Sequence, residues 1–149
     1  MGVNYIYEIL PRIDSMTADE IIQVVSGNEY IRLVELSQYP QFIQDIIFLL
    51  DLDTALAING DVLMNSSSFM RVPHMITALK NIGANDDSVL LQRIYDSYVV
   101  ALDYDEDRFE EVWNGVIDEL YRKMYFYNDL GVDIWHLLEL YVEREKVKV

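Results

Sequence analysis

The chain has 149 residues, 52% of them hydrophobic and none of them cysteine. That is the length of one ordinary domain with enough apolar side chain for a core, and it excludes a disulfide framework, a thiolate nucleophile and a Cys-built zinc site. The formal net charge is −15, with Lys+Arg 11 against Asp+Glu 26; such a surface repels nucleic acid and anionic membranes and attracts basic partners, unless its acidity serves solubility alone.

The N-terminal "MGVNYIYEIL" lacks a basic segment followed by a long apolar run, so no signal peptide is expected. Ile6 stands where a myristoylation start carries Ser or Thr. "NYIYEI" is the one stretch that alternates at the period of a strand. Thr17 and Glu20 then form a capping-box pattern, and a helix follows through Ile21, Ile22, Val24 and Val25 until Ser26-Gly27-Asn28 stops it. A second helix is expected over about 28–38, with Tyr30, Leu33 and Val34 on one face. Pro40 suits the first turn of a third, whose stripe is Ile43, Ile46, Ile47 and Leu50 and which extends toward Ile58. Its run "FIQDIIFLL" (42–50) is short and broken by Gln44 and Asp45, the mark of a buried helix rather than a membrane span. A cytoplasmic location is the expectation.

After "INGDVLMNSSSF" (58–69), Val72, Met75, Ile76 and Leu79 repeat at helical spacing, and Gly83 sits where a helix C-terminus favours glycine. Asn85 or Asp86 is the expected cap of the next helix, with stripe Leu91, Ile94, Tyr95 and Tyr98. The longest amphipathic pattern follows: Phe109, Val112, Trp113, Val116, Ile117, Leu120, Tyr121 and Met124. Gly131 interrupts the chain. A last helix carries Ile134, Leu137, Leu138 and Tyr141 and ends in Arg144, Lys146 and Lys148, where cations suit the helix dipole. The pattern predicts one all-α domain over 1–149, built from six or seven helices.

Chemistry is hard to find. His74 and His136 lie in no metal-binding pattern, and Ser66, Ser67 and Ser68 match no nucleophile motif. Asp103, Asp105 and Asp107 begin like a calcium loop, but Arg108 occupies the glycine position and Asn114 the closing glutamate position. Gly60 and Gly83 are isolated, so no phosphate loop is present, and basic patches interleaved with aromatics are missing. No cofactor, metal or enzymatic activity is expected. Trp113, Tyr121, Tyr125, Tyr127 and Trp135 would suit a ligand pocket, although aromatics at helical spacing are usually core.

Acid is the positive signal. The segment 101–149 carries thirteen acidic and six basic side chains, and the acids are densest near its start. Asp103, Asp105, Glu106, Asp107, Glu110, Glu111 and Asp118 are the candidate partner-binding residues, the helical ones lying off the apolar stripe. Duplex DNA carries one charge per roughly 1.7 Å of axis, so a single helix row is a sparse imitation. A second acidic face, from this chain or from a homodimer, would be needed to complete it.

The stretch "DLDTALAINGDVLMNSSSFMRVPHMITALKNIGANDDSVLLQRIYD" (51–96) resembles the DMP19-like family, a domain of unknown function. Asn59-Gly60 matches the family's Asn-Gly-Gly, Asn65-Ser66-Ser67 its Asn-Ser element, and Ala78-Leu79 with Ile82-Gly83-Ala84 its helix ending in "AL..IGA". "VIDELYRKMYFYNDLGVDIWHLLELYVERE" (116–145) is similar to the family's C-terminal part, so the likeness covers roughly 35–145. Asp61 replaces the second glycine, Val62, Leu63 and Met64 replace an aromatic-rich turn, and Ser68 stands where a glycine is common. The resemblance implies an all-α fold. In it, Asn59-Gly60 ends the third helix with a positive-φ glycine, and Asn65 and the serines cap the helix from Val72.

The family takes its name from a DNA-mimic protein whose acidic surface covers the DNA-binding face of a transcription factor. The resemblance therefore implies a non-enzymatic protein that occupies the DNA-binding face of a basic DNA-binding protein, binding neither nucleic acid directly nor membrane. Composition suits an immunity or antitoxin protein against a basic nuclease toxin equally well. A helical domain with a small-ligand pocket is the third reading, which a pocket of convergent polar groups would favour.

Overall fold

The described part of the alternating "NYIYEI", residues 6–9, is helix, not strand. In the computed structural model, which describes residues 6–27, 31–59, 69–103, 105–119 and 131–148, Ile6–Ile9 forms helix α1 and Leu10–Ser15 a 3-10 turn. Ile6 and Ile9 are both buried, so a spacing of three, not two, decides the local structure.

The further helices are α2 (Ala18–Ser26), α3 (Leu33–Leu36), α4 (Gln41–Asn59), α5 (Val72–Asn81), α6 (Asn85–Ala101), α7 (Glu106–Glu119) and α8 (Gly131–Glu145), with a closing 3-10 turn Lys146–Lys148. Among the described residues there is no strand, and the fold is all-α. The described helices exceed the expected six or seven by α1, a single turn too short to leave a periodic pattern. In place of a helix over 28–38, only Leu33–Leu36 is helical; Leu36 is buried while Val34 stands exposed, and Tyr30 lies outside the described residues.

Helix α4 is the centre. Phe42, Ile43, Ile46, Ile47, Phe48 and Leu49 are all buried, a nearly continuous run in the first half of the helix. Helices α2, α5 and α8 pack around it, α5 pairs with α6, and α6 with α7. Burying one such side chain stabilises by roughly 1.5–3 kcal/mol, so α4 carries a large share of the hydrophobic term. Among the described residues no helix is long and apolar enough to cross a membrane.

The helix ends follow local rules. Thr17 accepts the Glu20 N–H at 3.2 Å while Glu20 accepts the Thr17 N–H at 3.2 Å, completing the expected capping box on α2. At the end of α5, Gly83 takes φ +90°, the Gly83 N–H donates to Lys80 O at 3.0 Å and the Ala84 N–H to Leu79 O at 2.9 Å, which is a Schellman turn. One expected cap differs. Helix α6 starts from Ala84 with no side-chain cap, so neither Asn85 nor Asp86 fills that position. Helix α5 starts from Arg71, also without a side-chain cap; Gly60, Asn65 and the serines lie outside the described residues, and α4 ends at Asn59.

Candidate functional site

The acidic residues gather at the hairpin between α6 and α7. The chain leaves α6 at Ala101, and Asp103 lies exposed in the turn, its N–H donating to Val100 O at 3.2 Å. Asp105 then caps α7: its Oδ1 accepts the Arg108 N–H at 2.9 Å and its carbonyl accepts the Phe109 N–H at 2.8 Å. Glu106 and Asp107 occupy the first turn of α7, where the dipole favours negative charge. Glu110 and Glu111 are exposed one turn on. The side chain of Asp118 lies outside the described residues.

Sterics explain why α7 turns this face outward. Phe109 and Trp113 sit on its opposite side, and Tyr98 of α6 meets both rings edge-on, at centroid distances of 5.8 and 5.0 Å. Phe69 continues the cluster against Tyr95 and Tyr98 at 5.7 and 5.6 Å. Aromatic contacts of this kind add roughly 0.5–1.5 kcal/mol each beyond burial, so α7 is fixed in rotation about its axis. The Trp113 expected from the helical spacing is therefore core, and Trp135 is half-buried; Tyr121, Tyr125 and Tyr127 lie outside the described residues.

Among the described residues, Asp103, Glu106, Asp107, Glu110 and Glu111 pair with no Lys or Arg. Neighbouring α6 does not add a second acidic row. Its exposed side offers Asp96, whose Oδ1 accepts from Gln92 at 2.9 Å, together with Arg93 and the apolar Val99 and Val100. Leu102 extends the apolar edge into the turn. Among the described residues this hairpin thus presents a single acidic helix row flanked by aliphatic side chains.

Sequence reasoning missed a second polar centre, inside the core. Asp45 of α4 is fully buried. Its Oδ1 accepts from Gln41 Nε2 at 2.9 Å, and its Oδ2 accepts from Asn81 Nδ2 at 3.1 Å and from the Tyr141 hydroxyl at 2.7 Å. One carboxylate therefore joins α4, α5 and α8. Burial, reinforced by the Asp45 hydrogen bond and charge, pushes the Tyr141 phenol well above its ordinary range. A second buried charge, Arg71, pairs with Asp51 and donates to the Ile31 carbonyl. Burial raises the Asp51 carboxyl although Arg71 pulls it down.

His74 stacks on Phe48 with ring centroids 4.8 Å apart. His136 lines a cavity of about 450 Å³ beside Ala84, Asp86, Asp87 and Ile134. There the acids of the first turn of α6 already meet the positive end of the helix. Among the described residues no group of three or more His, Asp or Glu side chains is placed to hold a metal ion.

The chain matches no protein-family model, no curated protein and no solved structure.

Proposed function

We propose that this is a non-enzymatic acidic interaction protein of the DMP19-like kind, which covers the DNA-binding face of a basic DNA-binding protein and so excludes DNA. The observation that carries this reading is the row of exposed carboxylates from Asp103 to Glu111, which pair with no Lys or Arg among the described residues, on a helix fixed by aromatic packing. Unpaired charges on a rigid element keep their field for a partner, which speeds encounter and gives a salt-sensitive affinity. A basic nuclease toxin presents the same chemistry as a DNA-binding regulator, so the immunity reading uses the same face. A homodimer would set two such rows side by side and bring the charge density nearer to that of a duplex.

The test is affinity capture from the lysate of the native host, with elution by a salt gradient. A basic DNA-binding protein or nuclease that leaves at moderate salt and is displaced by duplex DNA supports the reading, and its identity separates regulator from toxin. The double charge reversal Glu110→Lys and Glu111→Lys abolishes capture while circular dichroism stays unchanged. Undiminished capture by that variant rejects this face.

A further inference from the structure

The second candidate lies away from the acidic face, where the buried Asp45 network reaches the surface. Gln41, Phe42, Asn81, Tyr141, Glu145 and Lys148 line a groove of about 380 Å³ between the start of α4, the end of α5 and the C-terminal turns. That volume falls in the range of small-molecule sites.

Asp45 forms the floor beneath it. Its charge is fully buried, and among the described residues no Lys or Arg pairs with it. Its three partners are neutral donors. A buried carboxylate held only by neutral groups keeps an uncompensated charge, which is costly in a low-dielectric interior. The partners are also oriented by it. Gln41 and Asn81 each give one amide N–H to Asp45, which sets the rotation of the amide and leaves its carbonyl oxygen unspent. Tyr141 gives its only proton to Asp45, so its oxygen can act only as an acceptor.

The residues that line the groove thus carry four groups able to accept: two amide oxygens, a phenol oxygen and the Glu145 carboxylate. The one cation among its described lining residues shows what fits. Lys148 Nζ pairs with Glu145 Oε2 at 2.9 Å, and the Lys148 side chain is 61% exposed, a pairing between neighbours on one turn that is worth little. A primary ammonium carries three donors and one compact charge, which matches convergent acceptors over a buried anion. A neutral or anionic ligand matches neither.

We propose that this groove binds a small molecule bearing a primary ammonium group, which pairs with Glu145 in place of Lys148 and offsets the buried charge of Asp45 through the Gln41, Asn81 and Tyr141 layer. This inference is independent of the acidic face.

The experiment is a titration of the ¹⁵N-labelled full chain with ethanolamine at physiological salt, with ethylene glycol as the neutral counterpart. Saturable shifts of the Gln41 and Asn81 side-chain amides are expected with ethanolamine and not with the glycol. Glu145→Gln weakens binding about tenfold, the scale of one charge-assisted hydrogen bond. Lys148→Ala, which removes the internal competitor, tightens it by about threefold. The Glu110→Lys and Glu111→Lys variant binds ethanolamine unchanged, which separates this site from the general attraction of an acidic surface. Shifts that do not saturate, that appear equally with the glycol, or that weaken as much on reversal at Glu110 and Glu111 as on Glu145→Gln would overturn the proposal.

Discussion

Asp45 shows how one side chain can organise three helices. Its partner Gln41 is four residues away on the same helix, whereas Asn81 and Tyr141 are 36 and 96 residues away. Tyr141→Phe removes one donor to a buried carboxylate and keeps the ring. A hydrogen bond to a charged group contributes about 1.5–3 kcal/mol, so the variant loses about that much stability in urea titration, with the slope unchanged. The sequence offered half of this arrangement. Asp45, with Gln44, interrupts the apolar run 42–50, and Gln41 stands four residues before it, on the same helix face. Nothing local points to Asn81 or Tyr141, because tertiary packing brings them in.

At the scale of elements, short-range chemistry was the most legible. The capping box of α2 and the glycine stop of α5 follow from residues within one turn. Neither Asn85 nor Asp86 caps α6, for a physical reason: Ala84 has two roles. Its N–H closes the Schellman turn on Leu79 O, while its carbonyl accepts the Ser88 N–H at 3.0 Å as the first bond of α6. With no spacer between the helices, Asn85 is already helical. Gly83→Ala tests that junction. An added Cβ meets no atom within 4 Å, so the cost is the positive φ alone, about 1–2 kcal/mol by denaturant titration. Helix α8 is tied to α2 differently. Glu143 accepts the Ala18 N–H at 2.7 Å and pairs with Lys146 at 2.9 Å, while Lys146 donates to the Met16 carbonyl. The Lys146 hydrogen bond, followed by the Ala18 N–H, holds the Glu143 carboxyl below its ordinary value of 4.5. A carboxylate lowered in the folded state contributes stability above its unfolded pKa and loses it as pH falls through the folded one. Thermal melts of Glu143→Gln will therefore show lower stability than the parent at neutral pH and a smaller loss on acidification.

For the whole molecule, periodicity foresaw the helical fold and composition the acidic surface, but neither showed how that surface is arranged. The acids of 103–111 follow one another in sequence, so their clustering was readable; that α6 meets them with Val99 and Val100 instead of a second acidic row was not. This shapes what partner binding should look like. Charge pairs at the rim are screened by salt, whereas aliphatic contacts are not. Affinity for the captured partner is expected to fall with ionic strength and then level off, and Val100→Ser, which changes no charge, is expected to lower that plateau. A straight decline to no binding would mark a purely electrostatic contact. The aromatic packing beneath the same face has an optical consequence. Trp113 is buried within 5.0 Å of Tyr98, directly behind the carboxylate row, while Trp135 is half-buried on α8. Its indole emission should lie to the blue and be fed by energy transfer from the tyrosine, so any twist of α7 on complex formation becomes visible as a change in native fluorescence, without a label.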